Sequence, residues 1–566
     1  MPTLYTNEDL TPRIAERKVA RAFQERRHEA WDEIYSLYRN KVKTNRLTQR
    51  QAVNIPLLKE TVKTLLSRVD DPPTIDWQER SGDEMKELIY QSIWDDRFKN
   101  DKFELKDVLD KKYVLLYGLS TKMLNISSDG ISVDILDPYD IVFDPTTNPL
   151  DIDSARFIIR QNIFRSVREI LADDRYTEAG KEQLKIWSLG DRGIIQSNAN
   201  RMEWEKKLER IKNMGVSSSE FPKFAGGDLV VHICEHYYLQ WNGTKFEKRV
   251  MCYANDEIPL SDEKLSTLIG IEQWPFVVWS EDTQLNDIYP DGVGDLVLTP
   301  NKIINIWFSQ QAENRTLRNF QMHWYDSTLQ GYKPQTYEPG PGVMLPAPGN
   351  PQQTIMPVEI SGLDETLTSI DWLTGVVERG TGATAIEKGT GEKGEQTLGE
   401  IQILVGKATE RATTMAKFYK ASWYELAKKW DAMMQSNSFK KMKLYKTSRN
   451  GKVYEKVVYS SDWKSEAGYE PSVRSSSEQE QEQTKNIQKF TFVLSQSPNN
   501  PALRKIAQRR QLELLDLTPD ELKQIEDAED QMQSAQAQSA QPMQDESSQI
   551  QQQIQSQLGE LTNLTQ

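Results

Sequence analysis

The chain has 566 residues, of which 37% are hydrophobic, and its mean hydropathy is -0.67. Its fourteen tryptophans and twenty-one tyrosines exclude a wholly disordered protein, because disordered chains are poor in aromatic residues. The net charge of -14 excludes an ordinary DNA clamp, which would gain affinity by releasing counterions with lysine and arginine.

The first predicted element is a helix that begins at Thr11-Pro12, where a hydroxyl N-cap precedes a proline at the first helical position. Apolar residues then recur at roughly helical spacing, at Ile14, Phe23, Trp31, Ile34 and Tyr38. The same Leu-Thr-Pro sequence occurs at 298–300 and 517–519. We therefore predict helix starts at these two positions as well.

Residues 55–290 mix helix-like and strand-like patterns. An apolar stretch at 110–124 ends in a strand-like segment, and residues 131–147 alternate before two Asp-Pro turns. Residues 228–255 predict a hairpin around Asn242-Gly243, the favoured two-residue turn, and 274–280 predicts a strand. Residues 1–290 are thus expected to form an α+β body. Its longest apolar run, at 113–119, is too short to span a bilayer, and no signal peptide is expected.

The pattern changes after residue 290. A helix is predicted at 300–322, with an apolar stripe and with Gln, Asn and Arg elsewhere on its surface. Residues 331–357 hold seven prolines and four glycines, which exclude a helix, although "GVML" and "QTIM" could be short strands. Helices are predicted again at 362–378 and 397–435, and a Gly-rich loop separates them. The longer helix has Met415, Tyr419, Trp423, Leu426 and Trp430 among its apolar positions.

The C-terminal part predicts weak strands at 441–460 and further helices up to about 527. Arg504, Lys505, Arg509 and Arg510 form a basic patch that is best interpreted as a solvated face or a subunit contact. Residues 528–566 are rich in Gln, Ser and Ala, are acidic, and are predicted to be disordered.

The Gly-rich loop contains a literal G-x-G-x-x-G at Gly389, Gly391 and Gly394. A dinucleotide fingerprint needs a strand before the glycines and a helix N-terminus after them. Here a helix precedes the loop, and Glu395-Gln396 stands where a P-loop requires Lys followed by Ser or Thr. We therefore interpret this segment as a connection between helices rather than a phosphate site.

The strand "HICEH" offers candidate metal ligands. His232, Cys234 and His236 share one face of a strand, and Cys252 across the hairpin could be a fourth ligand for zinc. An ordinary half-buried strand is the competing interpretation, because no C-x-x-C accompanies the motif. The two cysteines of the chain cannot form a disulfide framework, which favours a reducing compartment. Turn formation explains a further group of acids better than metal binding does, namely Asp137, Asp140 and Asp144.

The order of these parts resembles the portal (head-to-tail connector) proteins of tailed bacteriophages. The resemblance rests on "ILDPYDIVFDPTT" followed by "DIDSARFIIRQNIFRS", and on the helix, Pro-rich segment, helix, Gly loop and long helix from 300 to 435. It covers about residues 10–525. It implies an α+β portal fold with a mixed α/β wing, a long α-helical stem, a small α/β clip and a helical crown, assembled as a ring.

The resemblance divides the chain as follows: wing 1–290, stem helices 291–322 and 361–380, clip 323–360, tunnel loop 381–396, long helix and return to the wing 397–469, crown 470–527 and tail 528–566. It implies that the tunnel loop faces DNA, with phosphate contacts from Arg379, Lys388 and Lys393. Flexibility in this loop is expected from its glycines, Gly380, Gly382, Gly389, Gly391 and Gly394.

Portal subunits form a ring, usually of twelve, at one vertex of the virion. The implied partners are the terminase large subunit, head-tail adaptor and tail proteins, major capsid and scaffolding proteins, and the double-stranded DNA passing through the channel. Assembly is expected in the host bacterial cytoplasm, without catalytic activity, cofactor or membrane span. Two alternatives stay open from the residues: a nucleotide-binding enzyme that uses the Gly-rich loop, and a non-portal scaffold or adaptor protein.

Overall fold

The fold is described from a computed structural model. It covers residues 7–41, 53–67, 73–127, 130–189, 230–281, 287–320, 323–325, 355–357, 360–363, 366–383, 398–436, 439, 441–447 and 453–474. The chain divides into two compact units, 1–476 and 477–566. All described residues belong to the first unit, so the predicted tail, almost all of the predicted crown and the third Leu-Thr-Pro helix start lie outside them. The first unit combines helices with antiparallel sheets, as an α+β fold requires.

Two long helices begin earlier than their Leu-Thr-Pro sequences predict. Helix α1 spans Asn7–Tyr38 with Pro12 inside it, and α8 spans Val293–Asn319 with Pro300 inside it. The prediction that these prolines occupy the first helical position was therefore wrong. A proline leaves the carbonyl four residues earlier without its helical partner. For Pro300 that residue is Leu296, which is exposed, so water can satisfy its carbonyl.

The remaining N-terminal elements alternate helices with short strands. Helix α2 is Leu57–Leu66, β1 is Thr74–Glu79, α3 is Glu84–Asn100 and α4 is Phe103–Tyr117. Strands β2 (Leu119–Ser127), β3 (Gly130–Leu136) and β9 (Phe276–Ser280) form a three-stranded antiparallel sheet in the order β3-β2-β9. The strand predicted at 274–280 is thereby confirmed, and the first part of the apolar stretch at 110–124 lies in α4.

A five-stranded antiparallel sheet makes the second layer, in the order β4-β5-β6-β7-β8. Its strands are Ile141–Phe143, Phe157–Ser166, Val230–Trp241, Phe246–Ala254 and Ile258–Lys264. A 3-10 turn at Ile152–Ser154 and helices α5 (Val167–Ala172), α6 (Glu178–Leu189) and α7 (Leu265–Ile269) surround it. The predicted hairpin is confirmed, but its turn has four residues instead of two, because the Asn242 side chain accepts the N–H groups of Thr244 and Lys245.

After α8 the chain makes an excursion and returns. Strand β10 (His323–Tyr325) pairs antiparallel with β11 (Ile355–Pro357), and α9 (Thr366–Thr381) then packs against α8. Strand β11 overlaps the predicted "QTIM" strand, whereas "GVML" lies outside the described residues. Helix α10 (Leu398–Ser436) is the long helix that apolar periodicity predicts.

The chain then returns to its N-terminal part. Strands β12 (Lys441–Thr447) and β13 (Val453–Tyr459) form a hairpin, and α11 (Ser460–Trp463) leads to β14 (Tyr469–Arg474), which pairs with β1. Residues up to Arg474 therefore belong to this unit, slightly beyond the predicted boundary at 469. The junction is an aromatic cluster in which the centroids of neighbouring rings lie 3.8–6.1 Å apart, formed by Trp77, Tyr90, Trp94, Trp430, Trp463 and Tyr469.

Buried polar residues hold α8 against residues 53–58, which lead into the first turn of α2. Asn301 donates to the carbonyl of Ile55 at 3.0 Å and accepts the N–H of Leu58 at 3.2 Å. Asn305 accepts the N–H of Ile55 at 2.8 Å, and Ser309 accepts that of Val53 at 3.0 Å. The prediction that the asparagines of this helix lie away from its buried stripe was wrong for Asn301 and Asn305. They are buried because an extended segment needs partners for its backbone.

The C-terminus of α4 meets the N-terminus of α8 at a close backbone contact. Gly118 has a φ of +88°, and a Cβ built on it would lie 2.0 Å from the carbonyl oxygen of Pro290. Gly292 approaches the backbone of Gly118 from the other side, where a Cβ would lie 2.7 Å from its nitrogen. Only glycine fits this crossing, because any side chain would separate the two helices.

Substituting Gly118 by alanine should destabilise the protein strongly. We expect a loss of about 3 kcal/mol or more, because left-handed strain adds to a steric clash. Gly243→Ala is the matched control, since Gly243 has a φ of +95° with nothing within 4 Å of an added Cβ. It should cost only about 1–2 kcal/mol. Chemical unfolding of both variants tests this, and equal losses would contradict the proposed backbone contact.

Candidate functional site

The described features that bear most directly on function are the helices before and after the Gly-rich loop. Helix α9 turns Ile370, Leu373 and Val377 inward, at the i, i+3, i+7 spacing of one helix face. Ile370 and Val377 are buried within the main core. Asn314 of α8 donates to the carbonyl of Ser361 at 3.0 Å, just before α9 begins. The two helices are therefore joined both by apolar packing and by a hydrogen bond at one end.

The end of α9 is fixed by glycine. Gly382 has a φ of +76°, and its N–H donates to the carbonyl of Glu378 at 2.8 Å, which is a left-handed helix cap. Gly380 lies in the last turn of α9. Gly382 therefore ends the helix, and the expected flexibility of Gly380 and Gly382 stays a prediction. Arg379 is exposed in the same turn, where a cation suits the negative end of the helix dipole. Lys388, Lys393, Gly389, Gly391 and Gly394 lie outside the described residues.

Helix α10, which follows the loop, is anchored to the body by buried charges. Lys122 on β2 and Asp110 on α4 are fully buried, and Lys122 Nζ lies 2.8 Å from Asp110 Oδ2. Trp279 on β9 donates its indole N–H to the same carboxylate at 2.8 Å. Lys122 Nζ also donates to Ser422 Oγ on α10 at 3.1 Å. One ammonium group thus connects α4, β2 and α10.

A second buried ion pair lies beside the first. Lys111 Nζ is 2.6 Å from Asp107 Oδ2, one turn apart on α4. Tyr419 of α10 donates its hydroxyl to Asp107 Oδ1 at 2.5 Å. Burial raises the pKa of Asp107, and Lys111 partly offsets that effect. We call Asp107, Asp110, Lys111 and Lys122 the buried charge cluster; it contains two cations and two anions.

A third contact holds α10 further along its length. Lys429 Nζ donates to the carbonyl of Phe276 on β9 at 2.7 Å and lies 3.0 Å from Asp153 Oδ2. Asp153 also accepts the N–H of Trp274 at 2.6 Å and lies 3.0 Å from Lys248 Nζ. The C-terminal half of α10 is therefore bound to both sheets through charged groups, in addition to its buried aromatic residues.

Sequence reasoning did not identify this anchoring. The apolar face of α10 was predicted, and Met415, Tyr419, Trp423, Leu426 and Trp430 are all buried. The charges of α4 were not assigned any role. A usable signal was present in the sequence: Asp107, Asp110 and Lys111 fall on one helical face, interleaved with Phe103 and Val114.

The structure brings His232 and Cys234 together with Asp256 rather than with Cys252. One candidate ligand atom from each of these three residues lies within 4.8 Å of the others. However, Arg17 Nη1 lies 2.5 Å from Asp256 Oδ1, and His232 Nε2 accepts the N–H of Asn162 at 3.0 Å. Burial raises the pKa of Cys234 to about 12, which keeps the thiol protonated. Arg17 therefore already supplies the positive charge that a metal would bring.

The other predicted ligands lie elsewhere. Cys252 is paired with Glu235 in the β6–β7 register, so it lies on the opposite face of the sheet from Cys234. The suggestion that it completes a site with Cys234 was therefore wrong. His236 is buried, and its Nε2 lies 3.1 Å from Glu16 Oε2 on α1. It contributes to the contact between α1 and the five-stranded sheet.

Turn formation explains the acids near the Asp-Pro pairs, as predicted. Asp137 accepts the N–H of Tyr139 at 3.1 Å, and Asp144 accepts that of Thr146 at 3.0 Å. Asp140 accepts the side-chain amide of Asn162 at 2.9 Å. Asn162 itself has a φ of +60° at an irregularity in the β5–β6 pairing. These acids therefore hold turns and a bulge in place.

Comparison with known proteins supports the resemblance noted above. The family model described as "Phage SU10 portal protein" matches residues 30–561 of the chain. No curated protein gives a match. Among the described residues, we find no helix with the length and apolar character needed to cross a membrane.

Removing Lys122 should leave a buried carboxylate without its counterion. We expect Lys122→Met to destabilise the protein by about 3–5 kcal/mol, because an unpaired buried charge is costly. The matched control is Lys106→Met, since Lys106 also pairs with aspartates but is partly exposed, and it should cost less than about 1 kcal/mol. The measurement is urea unfolding. Adding Asp110→Leu to Lys122→Met should restore part of the lost stability, because it removes the unpaired carboxylate. If the stability losses of the two substitutions add instead, that result would argue against pairing between Lys122 and Asp110.

Stability should fall when the pH drops from 7.5 to 5.5. Burial lowers the pKa of His236 from its ordinary 6.5, and the hydrogen bond to Glu16 opposes this only in part. Below pH 6.5 the unfolded chain therefore binds protons more readily than the folded chain, so the free energy of unfolding falls, by at most about 1.4 kcal/mol per pH unit for one such group.

Thermal or urea unfolding at several pH values measures this dependence. His236→Gln should make stability less dependent on pH over this range. His28→Gln, at a half-buried position on α1, should leave the contribution of His236 to the pH dependence in place. If His236→Gln does not change the slope between pH 7.5 and 5.5, the assignment to His236 is wrong.

Proposed function

The chain belongs to the phage portal family, and we propose that its copies form a ring-shaped channel at one vertex of the capsid. Genomic double-stranded DNA would be packaged through this channel and later ejected through it. Proteins of this family are structural rather than enzymatic, and we expect the purified protein not to hydrolyse ATP.

The arrangement of α8, β10, β11 and α9 carries this proposal. The chain leaves the body along α8, the pairing of β10 with β11 brings residues 323 and 357 together, and α9 returns packed on α8. A two-helix stem that bears a Pro-rich clip requires this connectivity. We assign α8 and α9 to the stem and residues 323–360 to the clip, which would dock the terminase large subunit and later head-tail adaptor and tail proteins.

The segment between α9 and α10 is proposed as the tunnel loop. Arg379 stands exposed at its start, and Lys388 and Lys393 lie within it beside Glu387, Glu392 and Glu395. Mixed charge suits a loop that must touch passing DNA weakly, because tight phosphate binding would slow sliding. Helix α9 is packed on α8, and α10 is packed against the body from Met415 onward.

We propose the remaining assignments by analogy with the family. The body that includes both sheets would be the wing, in contact with major capsid and scaffolding proteins, and residues 475–527 would be the crown. Stem helices that line a ring need partners on their outer faces. Helix α9 exposes Leu367 and Trp372, and α8 exposes Ile306, which supports contacts between neighbouring stems.

Negative-stain imaging of the purified protein tests the ring directly. We expect closed rings with a central hole, usually of twelve subunits. A monomer or a small oligomer without a hole at all concentrations would contradict the proposal.

Deleting Gly389–Gly394 should leave ring assembly intact but impair DNA packaging or retention, because only the loop would be shortened. A DNase-protection assay measures the packaged DNA. Replacing both Lys388 and Lys393 by glutamine should also change the amount of packaged DNA. Glu392→Gln, which removes a charge of the opposite sign from the same loop, is the matched control. Loss of folding in the deletion variant would show that the loop has another role.

A further inference from the structure

Helix α4 carries apolar side chains on its outer face. Leu105, Val108 and Leu109 are 71%, 43% and 41% exposed. Their i, i+3, i+4 spacing puts them side by side on one face of the helix. We call these three residues the α4 apolar face. Scattered exposed leucines are ordinary on protein surfaces, but three adjacent ones on one helix are not.

The inner face of the same helix is charged. Asp107, Asp110 and Lys111 point into the body and are at most 3% exposed. A surface helix of a soluble protein normally has the reverse polarity, with apolar residues inside and charges outside. The polarity of α4 over residues 105–111 is thus inverted.

This inversion is fixed by specific contacts. Asp110 is held by Lys122 and by the indole of Trp279, and Asp107 is held by Lys111 and Tyr419. Turning α4 so that its leucines faced inward would break all of these contacts and leave Lys122 buried without a counterion. The apolar face must therefore point outward in every state in which the body is folded.

We propose that the α4 apolar face packs against a second copy of this chain. The inference rests on the proposed ring, in which every subunit must bury two different surfaces against its neighbours. Each chain has a net charge of -14, so copies repel one another, and an apolar face allows close approach without opposing like charges. Helix α8, which packs against α4, also exposes Leu296 and Ile306. Exposed apolar side chains therefore occur on both α4 and α8.

Introducing charge on this apolar face tests the proposal. Leu105→Arg combined with Val108→Arg should raise the concentration at which half of the chains are in rings by at least roughly tenfold. Ile186→Arg on α6 is the matched control, because Ile186 is also exposed, at 67%, and it should leave assembly unchanged. Analytical ultracentrifugation over a concentration series measures the shift. An unchanged midpoint in the double variant would overturn the proposal.

Cysteine labelling provides a second readout that disturbs the interface less than an added charge does. Leu105→Cys should react with a maleimide at least roughly tenfold more slowly than Ile186→Cys in assembled rings, and equally fast in subunits separated by dilution. Fast reaction in the ring would mean that the face is open or binds another protein, and would overturn the proposal. Slow reaction in separated subunits would mean that the same chain covers the α4 apolar face, which would also overturn the proposal. A wild-type chain that forms no ring would instead refute the proposed function, so the two failures are distinguishable.

Discussion

The folded body depends on a small group of charges that water does not reach. Placing two lysines and two aspartates in a protein interior is costly unless each has a partner at hydrogen-bond distance. Here the four charges neutralise one another, and Tyr419, Trp279 and Ser422 satisfy further donors and acceptors. Because these partners come from α4, β2, β9 and α10, the cluster can be satisfied only when all four elements are in place. It therefore specifies one arrangement of elements that are far apart in sequence.

The same kind of constraint recurs where other segments cross. Asn301, Asn305 and Ser309 of α8 bond the backbone before α2, and Gly118 lets α4 and α8 touch. Such contacts fix position more tightly than apolar packing alone, because a shift of one residue leaves a buried polar group unpaired. In the proposed ring, α9 and the part of α10 from Met415 onward would then be held in place on either side of the proposed tunnel loop.

Sequence reasoning predicted the elements whose signal is periodic and local. The apolar repeat of α10, the β6–β7 hairpin and the Asp-Pro turns each have such a signal, and the structure confirms them. Sequence reasoning failed where contacts between distant elements determine the structure. Pro12 and Pro300 were taken as helix starts because a local rule favours that position, yet both helices extend through them. Asn301 and Asn305 were placed away from the buried stripe because only apolar residues were assigned to it, whereas a distant backbone segment makes them buried. The spacing of Asp107, Asp110 and Lys111 indicates a charged helical face. Their partners on β2 and α10, like the Arg17–Asp256 pair, cannot be predicted without knowing which strands meet which helices.

Helix α10, from Met415 onward, should form one cooperative unit with α4, β2 and β9. Hydrogen–deuterium exchange on the intact protein, resolved by peptide, measures this cooperativity. Amides of α10 at 415–434 should show the same free energy of opening as those of β2 and β9, and they should open together as denaturant is added. If α10 exchanges at a much lower free energy while β2 and β9 stay protected, the buried charges do not join them, and the claim is wrong.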